Sequence, residues 1–488
     1  MEERKGFGTN FGFLMAAVGS AVGLGNIWGF PNKMGASGGF TFLVIYLILA
    51  VLCGFIVMVG ELALGRKTHH GAVGAYKALS KKFKWMGWLG ILSAFFILFF
   101  YCALGGYCIK YTVLNIGDLF HAGFGANALA ETAATNGNSL GAEVFGTFMS
   151  SPTEAIVYGL IFVAITMIIV IGGIGGGIEK VCSVGMPALF VMLLICIIRA
   201  CTLEGAVDGL KYMFVPGWAV TNGVIDEAPN FFGVLSAAGG QMFFSLSLGM
   251  GIMITYGSYL DKKENLQKNA LLIIVMDTLV ALMAGLWVIP GRFALDPTGS
   301  LGGPKLLFVT MQNVFSRMGP IGPIFGILFY LLVVFAAISS SISLLEAVVA
   351  HFVDNARDAG KGDKRKAYAL IGAVAVGVGA MLICADSLGD ASFTPWRLLN
   401  LPAESIRTWN DCWLDFFDML SEGIMMPLGA LMMTLMVGWE LGPDVVKEEC
   451  EASGHAMASY GFYKVCIKYI TPLCMILVLY GQIKEFFF

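Results

Sequence analysis

The sequence predicts an all-α protein that crosses a lipid bilayer many times. Three observations carry that reading. Of 488 residues, 57% are hydrophobic and 13% are charged, about half the charged share of a soluble domain. Mean hydropathy is +0.79. The apolar residues also fall in runs long enough for membrane helices, which need roughly 20 residues, whereas barrel strands would need only about ten. The net charge of −3 says little about partners, because the charges gather in loops. No nucleic-acid partner is expected.

Eleven spans follow in order. Span 1 covers 10–32 and lacks a small-residue cleavage pattern, so it is not read as a removable signal. Span 2 covers 39–65 and ends on a basic loop with Arg66, Lys67, Lys77, Lys81, Lys82 and Lys84. Span 3, 86–115, leads into the polar stretch 116–152, and no Lys or Arg occurs from Tyr111 through Glu179. Spans 4 and 5, 154–173 and 182–203, are joined by a short glycine-rich turn, Gly172 to Lys180. After the polar stretch 204–230 comes span 6, 231–259, then a basic loop with Lys262, Lys263 and Lys268. Span 7, 267–291, and the polar stretch 292–321 precede span 8, 322–353. A third basic loop with Arg357, Lys361, Lys364, Arg365 and Lys366 leads to span 9, 367–385. The polar stretch 386–414 separates it from span 10, 415–439, and span 11 covers 465–483. Basic loops remain cytoplasmic, which places the N-terminus inside and, with eleven spans, the C-terminus outside.

Most of the eleven cysteines lie within spans, where a free thiol behaves as a small apolar group. No structural disulfide is expected. His69 and His70 sit in the first basic loop without metal-ligand spacing and read as solvated.

Two spans are interrupted. Span 1 contains Gly23-Leu24-Gly25 after Ser20, and span 6 contains Gly249-Met250-Gly251 after Ser245 and Ser247. Phosphate binding is excluded for the first. A dinucleotide fingerprint from Gly23 would need glycine at Trp28, and a P-loop from Gly19 would need Gly-Lys where Leu24-Gly25 stands. One glycine pair alone would suggest close helix packing. Two pairs, in spans that run in opposite directions, point to broken helices around a midplane transport site. Carbonyls freed at such breaks suit a small hard cation, and a half-helix N-terminus suits a carboxylate.

Polar residues elsewhere would complete that site. Asp277 in span 7 places a carboxylate at a helix centre, at about 2.5–3.5 kcal/mol on insertion scales. Ser339, Ser340 and Ser341 are consecutive in span 8, so at least one faces inward. Glu61 and Glu346 lie nearer the cytoplasmic side and read as braces for exposed backbone amides. No nucleophile–base pair or metal spacing supports an enzyme.

GSAVGLGNIWGFP at 19–31, GGQMFFSLSLGMG at 239–251, GPKLLFV at 303–309, SSSISLLE at 339–346 and MPLGALMMTLMVGW at 426–439 together resemble the neurotransmitter:sodium symporters. The resemblance runs from about Arg4 to Tyr480. It implies the LeuT fold: one domain over 1–488, with inverted five-helix repeats at 10–203 and 231–439 and an extra helix at 465–483. It further implies sodium-coupled amino-acid uptake across a cell membrane, with two sodium ions. One ion would meet the carbonyls of Gly19, Val22 and Ala336 and the hydroxyls of Ser339 and Ser340. The other would meet the Ala21 carbonyl, Asn26, Ser245, Asp277 and the substrate carboxylate. Tyr101 would bind that carboxylate, with Ala21, Gly23 and Gly25 beside it. Phe244 would lie over the substrate, and Ile97, Ser247, Met250, Ser340 and Ser343 would line its pocket. Arg4 and Asp354 match the cytoplasmic gate, with Phe7 near the family's tryptophan.

Three departures stand out. Gly29 replaces the arginine of the outer gate, while its acid remains as Asp418. Asp277 replaces the usual asparagine. Ala281 replaces the serine of chloride-dependent members, so no chloride requirement is expected. The pocket residues carry no charge for a substrate side chain, which favours an apolar or aromatic amino acid. A proton-coupled transporter of the same fold and a non-transporting amino-acid sensor are the alternatives. The first is disfavoured because 182–198 contains no lysine near the second sodium site.

Overall fold

The computed structural model describes residues 6–133, 139–296, 303–362, 364–400 and 410–487. Among the described residues the regular structure is entirely helical. The long elements are α1 (Asn10–Ala21), α2 (Gly25–Ala36), α3 (Phe40–Thr68), α4 (Met86–Leu119), α5 (Pro152–Ile171), α6 (Ile174–Cys201), α7 (Phe231–Ser245), α8 (Ile252–Gly257), α9 (Leu266–Leu295), α10 (Gly319–Asp358), α11 (Arg365–Gly389), α12 (Trp413–Leu441) and α13 (Tyr460–Lys484).

Nine of these helices are each long and apolar enough to cross a membrane, and α1 with α2 makes a tenth crossing bent by 46°. The remaining expected span, 231–259, is divided into α7 and α8 by non-helical residues 246–251. Neither half is long enough to cross alone. The count of eleven therefore rests on reading α7 and α8 as one broken crossing.

The surface of the bundle is apolar where a soluble protein would be polar. Val184, Ile198, Ile371 and Val378 are each more than 60% exposed. Lipid tails cover such faces without cost, while backbone polar groups are satisfied within helices. The polar side chains turn inward: Asn26, Glu61, Gln241, Ser245 and Asp277 are almost fully buried.

Two groups of helices meet at the centre. α4, α5, α10 and α11 pack on one another. Small residues permit close approach there: a Cβ at Gly106 would lie 2.5 Å from the Gly159 nitrogen. In the second group α3 packs on α7 and α8, and α9 packs on α1, α2 and α3. α1 also lies against α6 and α10, so the break after Ala21 faces the first group.

One buried ion pair fastens the far end of α3. Arg66 is fully buried and donates to Glu449 Oε1 at 2.7 Å, to the Glu264 carbonyl at 2.6 Å and to the Glu449 carbonyl. It joins α3 to the segment before α9 and to the helix Asp444–Glu451. Arg66→Ala would strand the Glu449 carboxylate, a loss of about 3–5 kcal/mol when a buried pair is broken. The expected result is a sharp fall in monodisperse protein by detergent gel filtration. Glu449→Gln, which keeps an acceptor, should fall less.

Candidate functional site

α1 begins where Thr9 Oγ1 accepts from the Gly12 N–H at 2.9 Å. It ends at Ala21 because Val22 turns extended, with ψ 101°. The last carbonyls of α1 then lack intrahelical partners. α10 supplies hydroxyls to them. Ser340 Oγ lies 3.3, 3.1 and 3.4 Å from the carbonyl oxygens of Gly19, Ser20 and Val22. Ser339 Oγ lies 2.9 Å from the Ala336 carbonyl and 3.4 Å from that of Val22. Each hydroxyl has a single proton to donate, and Ser247 Oγ adds one toward Ser20, so three protons face four carbonyls. This excess of oxygen acceptors suits a hard cation. All five groups expected at the second sodium site are in this cluster.

Asp277 on α9 forms a second cluster. Its carboxylate accepts from Asn26 Nδ2 at 2.7 Å, from Ser245 Oγ at 3.0 Å and from the Tyr46 hydroxyl at 3.3 Å. Asn26 Nδ2 also donates to the Asp277 carbonyl, and Asn26 Oδ1 accepts from Gly23 N–H. Asp277 is fully buried, yet these partners are all neutral. A buried carboxylate without a counter-charge is costly, and a small cation among these oxygens would complete it.

Between the clusters lies a small chamber. Ser20, Tyr101, Ser247 and Ser340 line its polar part, and Ile97, Phe244, Met250 and Leu344 its apolar part, with Ala21 and Gly25 at the helix break. No lining residue carries a charge. The free space is about 10 Å³ for the centre of a water-sized sphere, roughly one water. A larger guest therefore needs side chains to move apart, and half-buried Phe244 is the most exposed of the apolar set. Tyr101 Oη accepts from the Leu24 N–H at 2.7 Å. A Cβ at Gly23 would fall 2.1 Å from that oxygen and 2.3 Å from Ser340 Oγ, and one at Gly25 would fall 2.8 Å from Phe244. Side chains at either position would fill the chamber.

Ser343 departs from its expected place. Its hydroxyl donates back to the Ser340 carbonyl at 2.7 Å, a common outcome for serine inside a helix. Leu344, four residues after Ser340 and on the same face, reaches the chamber instead.

The break between α7 and α8 is built from unusual backbone. Gly249 and Gly251 have φ of 78° and 74°, and Ser247 has φ of 54°. Such a conformation in a non-glycine residue stores strain, here of the order of 1–2 kcal/mol. Ser247 is held by its own hydroxyl, which donates to the Ser20 carbonyl at 3.0 Å. Thus one broken helix is pinned to the other. Glu61 braces the same break, accepting from the Gly249 N–H at 2.8 Å. Glu346 does not brace backbone amides as expected. It pairs with Arg365 at 2.5 and 3.0 Å and accepts from the Tyr259 hydroxyl at 2.7 Å, because Arg365 opens α11 beside it.

Of the expected gate residues, Arg4 lies outside the described residues. Asp354 accepts from the Gly71 N–H at 2.9 Å and lies 3.5 Å from Arg357. Phe7 packs edge-on against Phe13, Tyr256 and Tyr259. At the other end, Gly29 faces Gln241, whose Nε2 donates to the Gly25 carbonyl at 2.7 Å. Asp418 is half-buried in α12, and Lys33 and Glu422 form an ion pair beyond it. Sequence reasoning did not single out Tyr46, Lys33, Glu422 or Leu344. Tyr46 sits in a uniformly apolar run with no local signal. Lys33 and Glu422 are each four residues after a residue already of interest, a spacing that could have found them.

A family model described as the sodium:neurotransmitter symporter family matches residues 4–121 and 150–394. The chain is 32% identical to an uncharacterized sodium-dependent transporter, YhdH, of Bacillus subtilis, with 96% of each chain covered. It is 29% identical to an uncharacterized sodium-dependent transporter of Haemophilus influenzae, with 98% of each covered. Among solved structures it resembles MhsT in complex with L-phenylalanine, with a TM-score of 0.82 and 31% identity, covering 98% of this chain and 100% of that one.

Proposed function

The chain belongs to the sodium:neurotransmitter symporter family as a sodium-dependent membrane transporter, and from that premise we propose that it takes up a bulky apolar or aromatic amino acid with two sodium ions and without chloride. The observation that carries the substrate class is the charge-free chamber, with Ile97, Phe244, Met250 and Leu344 on one side and hydroxyls on the other. The bound phenylalanine of the similar structure MhsT supports the same class.

In this reading Ala21, Asn26, Ser245 and Asp277 hold one sodium together with the substrate carboxylate, which Tyr101 and the start of α2 receive. Gly19, Val22, Ala336, Ser339 and Ser340 hold the other. Chloride independence follows from Asp277. The Tyr46 and Ser245 hydroxyls, which could hold an anion, already serve its carboxylate, and Ala281 one turn on adds no donor. The negative charge beside the first sodium is thus part of the protein.

The work is translocation, not bond chemistry. Two sodium ions entering with a zwitterion gain about 4.6 kcal/mol per 100 mV. That alone sustains roughly a thousandfold accumulation, at about 1.4 kcal/mol per tenfold. The repeats 10–203 and 231–439 would place the two breaks at the membrane midplane, with the N-terminus cytoplasmic and the C-terminus outside. The group α1, α2, α3, α7, α8 and α9 would rock against α4, α5, α10 and α11, with Arg4 and Asp354 closing the inner side.

Proteoliposomes with sodium, potassium or choline outside test this with a panel of labelled amino acids. Phenylalanine, tyrosine, tryptophan or leucine should accumulate in sodium only, and equally when gluconate replaces chloride. Uptake that ignores sodium and follows an imposed pH gradient would favour the proton-coupled alternative. Binding without accumulation would favour a sensor.

A further inference from the structure

Gly29 leaves the outer side of α2 without the cation expected there, but α2 is not without a cation. Lys33 lies four residues further on, one helical turn along the same face. Asp418 on α12 likewise has an acid one turn further on, Glu422. The structure pairs these two outer residues, Lys33 Nζ with Glu422 Oε1. The Lys33 side chain is 26% exposed and that of Glu422 only 9%.

Three features shape the surroundings of Glu422. It lies in a π-helical segment, Met419–Met425, whose wider turn changes which residues of α12 face α2. Gly240 of α7 leaves room beside it, since a Cβ there would lie 3.2 Å from Glu422 Oε1. Gln482 packs at the same spot and donates to the Ser236 carbonyl at 3.0 Å. Asp418, four residues before Glu422, places a second acid on the preceding turn of α12. Below it, the place vacated at Gly29 is filled by the Gln241 side chain from α7.

We propose that Lys33 and Glu422 form the outer gate of this transporter, shifted one helical turn outward from Gly29 and Asp418. The assignment of "outer" rests on the function and orientation proposed above. When α2 moves away from α12 the pair breaks and the path to Phe244 opens. When they meet, the pair and Gln241 close it. The chamber is then capped by a lysine, whose single ammonium can follow either Glu422 or Asp418 through the movement. A planar arginine fork would fix one partner instead.

The test reads the gate without needing the substrate. Gly29→Cys places a thiol just beneath the pair, where its Cβ would press only on the end of the flexible Gln241 side chain, at 2.8 Å. Full-length protein in lipid nanodiscs is exposed to a membrane-impermeant maleimide in sodium, with Gly29-retaining protein as background. Lys33→Glu or Glu422→Lys alone should speed labelling about tenfold, the scale of a coupled charge pair. The exchange Lys33→Glu with Glu422→Lys should bring the rate back to within about threefold of the parent. Labelling unchanged by either single reversal would overturn the gate. So would an exchanged protein that elutes normally yet labels as fast as the single variants. Failure of all amino acids to accumulate in proteoliposomes would count against the transport reading only, because the labelling rates would stand.

Discussion

Asp277→Asn is expected to make transport depend on chloride. In the native protein the carboxylate is fully buried and held by Asn26, Ser245 and Tyr46, none of them charged. A unit charge 4 Å away contributes about 4 kcal/mol at an effective dielectric constant of 20. Losing it should raise the sodium concentration for half-maximal uptake by up to about a thousandfold, at 1.4 kcal/mol per tenfold. With its oxygen kept on the Asn26 side, the asparagine amide would turn an NH2 toward Tyr46 and release that hydroxyl, and an anion could then take the place of the lost charge. Sodium titrations of uptake in chloride and in gluconate separate the cases. The variant should be nearly inactive in gluconate and partly active in chloride. Equal sodium curves for variant and parent in gluconate would remove Asp277 from the ion site.

Gly249→Ala should abolish transport and most of the folded yield. Its φ of 78° costs a side chain about 1–2 kcal/mol. The greater obstacle is space. A Cβ would lie 2.3 Å from the Met426 carbonyl oxygen, which is backbone and cannot swing aside. The approach is reciprocal, because a Cβ at Gly429 would lie 2.3 Å from the Gly249 carbonyl oxygen. α12 therefore rests directly on the broken segment of 246–251. Overpacking of this kind adds about 1–3 kcal/mol, and it would also displace the Gly249 N–H from Glu61. Gly233→Ala is the control, since nothing lies within 4 Å of a Cβ there. Fluorescence-detected gel filtration and uptake, measured side by side, should show a near-complete loss for Gly249→Ala and Gly429→Ala and none for Gly233→Ala.

Local chemistry made some of the site legible. Gly23, Gly25, Gly249 and Gly251 interrupt apolar runs, and Asp277 is a carboxylate where hydrocarbon surrounds it. Each violates a local rule in a way that only function explains. Ser339 and Ser340 were legible only as a group, since a single serine in a helix reads as packing. Ser343 shows the limit of that signal. It has the same chemistry and almost the same face, but its hydroxyl is spent on the Ser340 carbonyl, and Leu344 takes the contact. Glu346 shows another. Whether a buried acid meets an amide or a guanidinium depends on the segment that folds over it, here the start of α11.

The sequence alone determined that the chain is a bundle of membrane helices with two broken spans and a buried carboxylate. Hydrophobic length and glycine placement act within a single helix, so they can be read from neighbouring residues. Tertiary structure decided the partners: Tyr46 with Asp277, Ser247 with the Ser20 carbonyl, and Lys33 with Glu422. Those pairs join residues hundreds of positions apart or on different helices. Their distances depend on how helices rotate and cross, which side-chain packing over the whole bundle sets and no local pattern encodes.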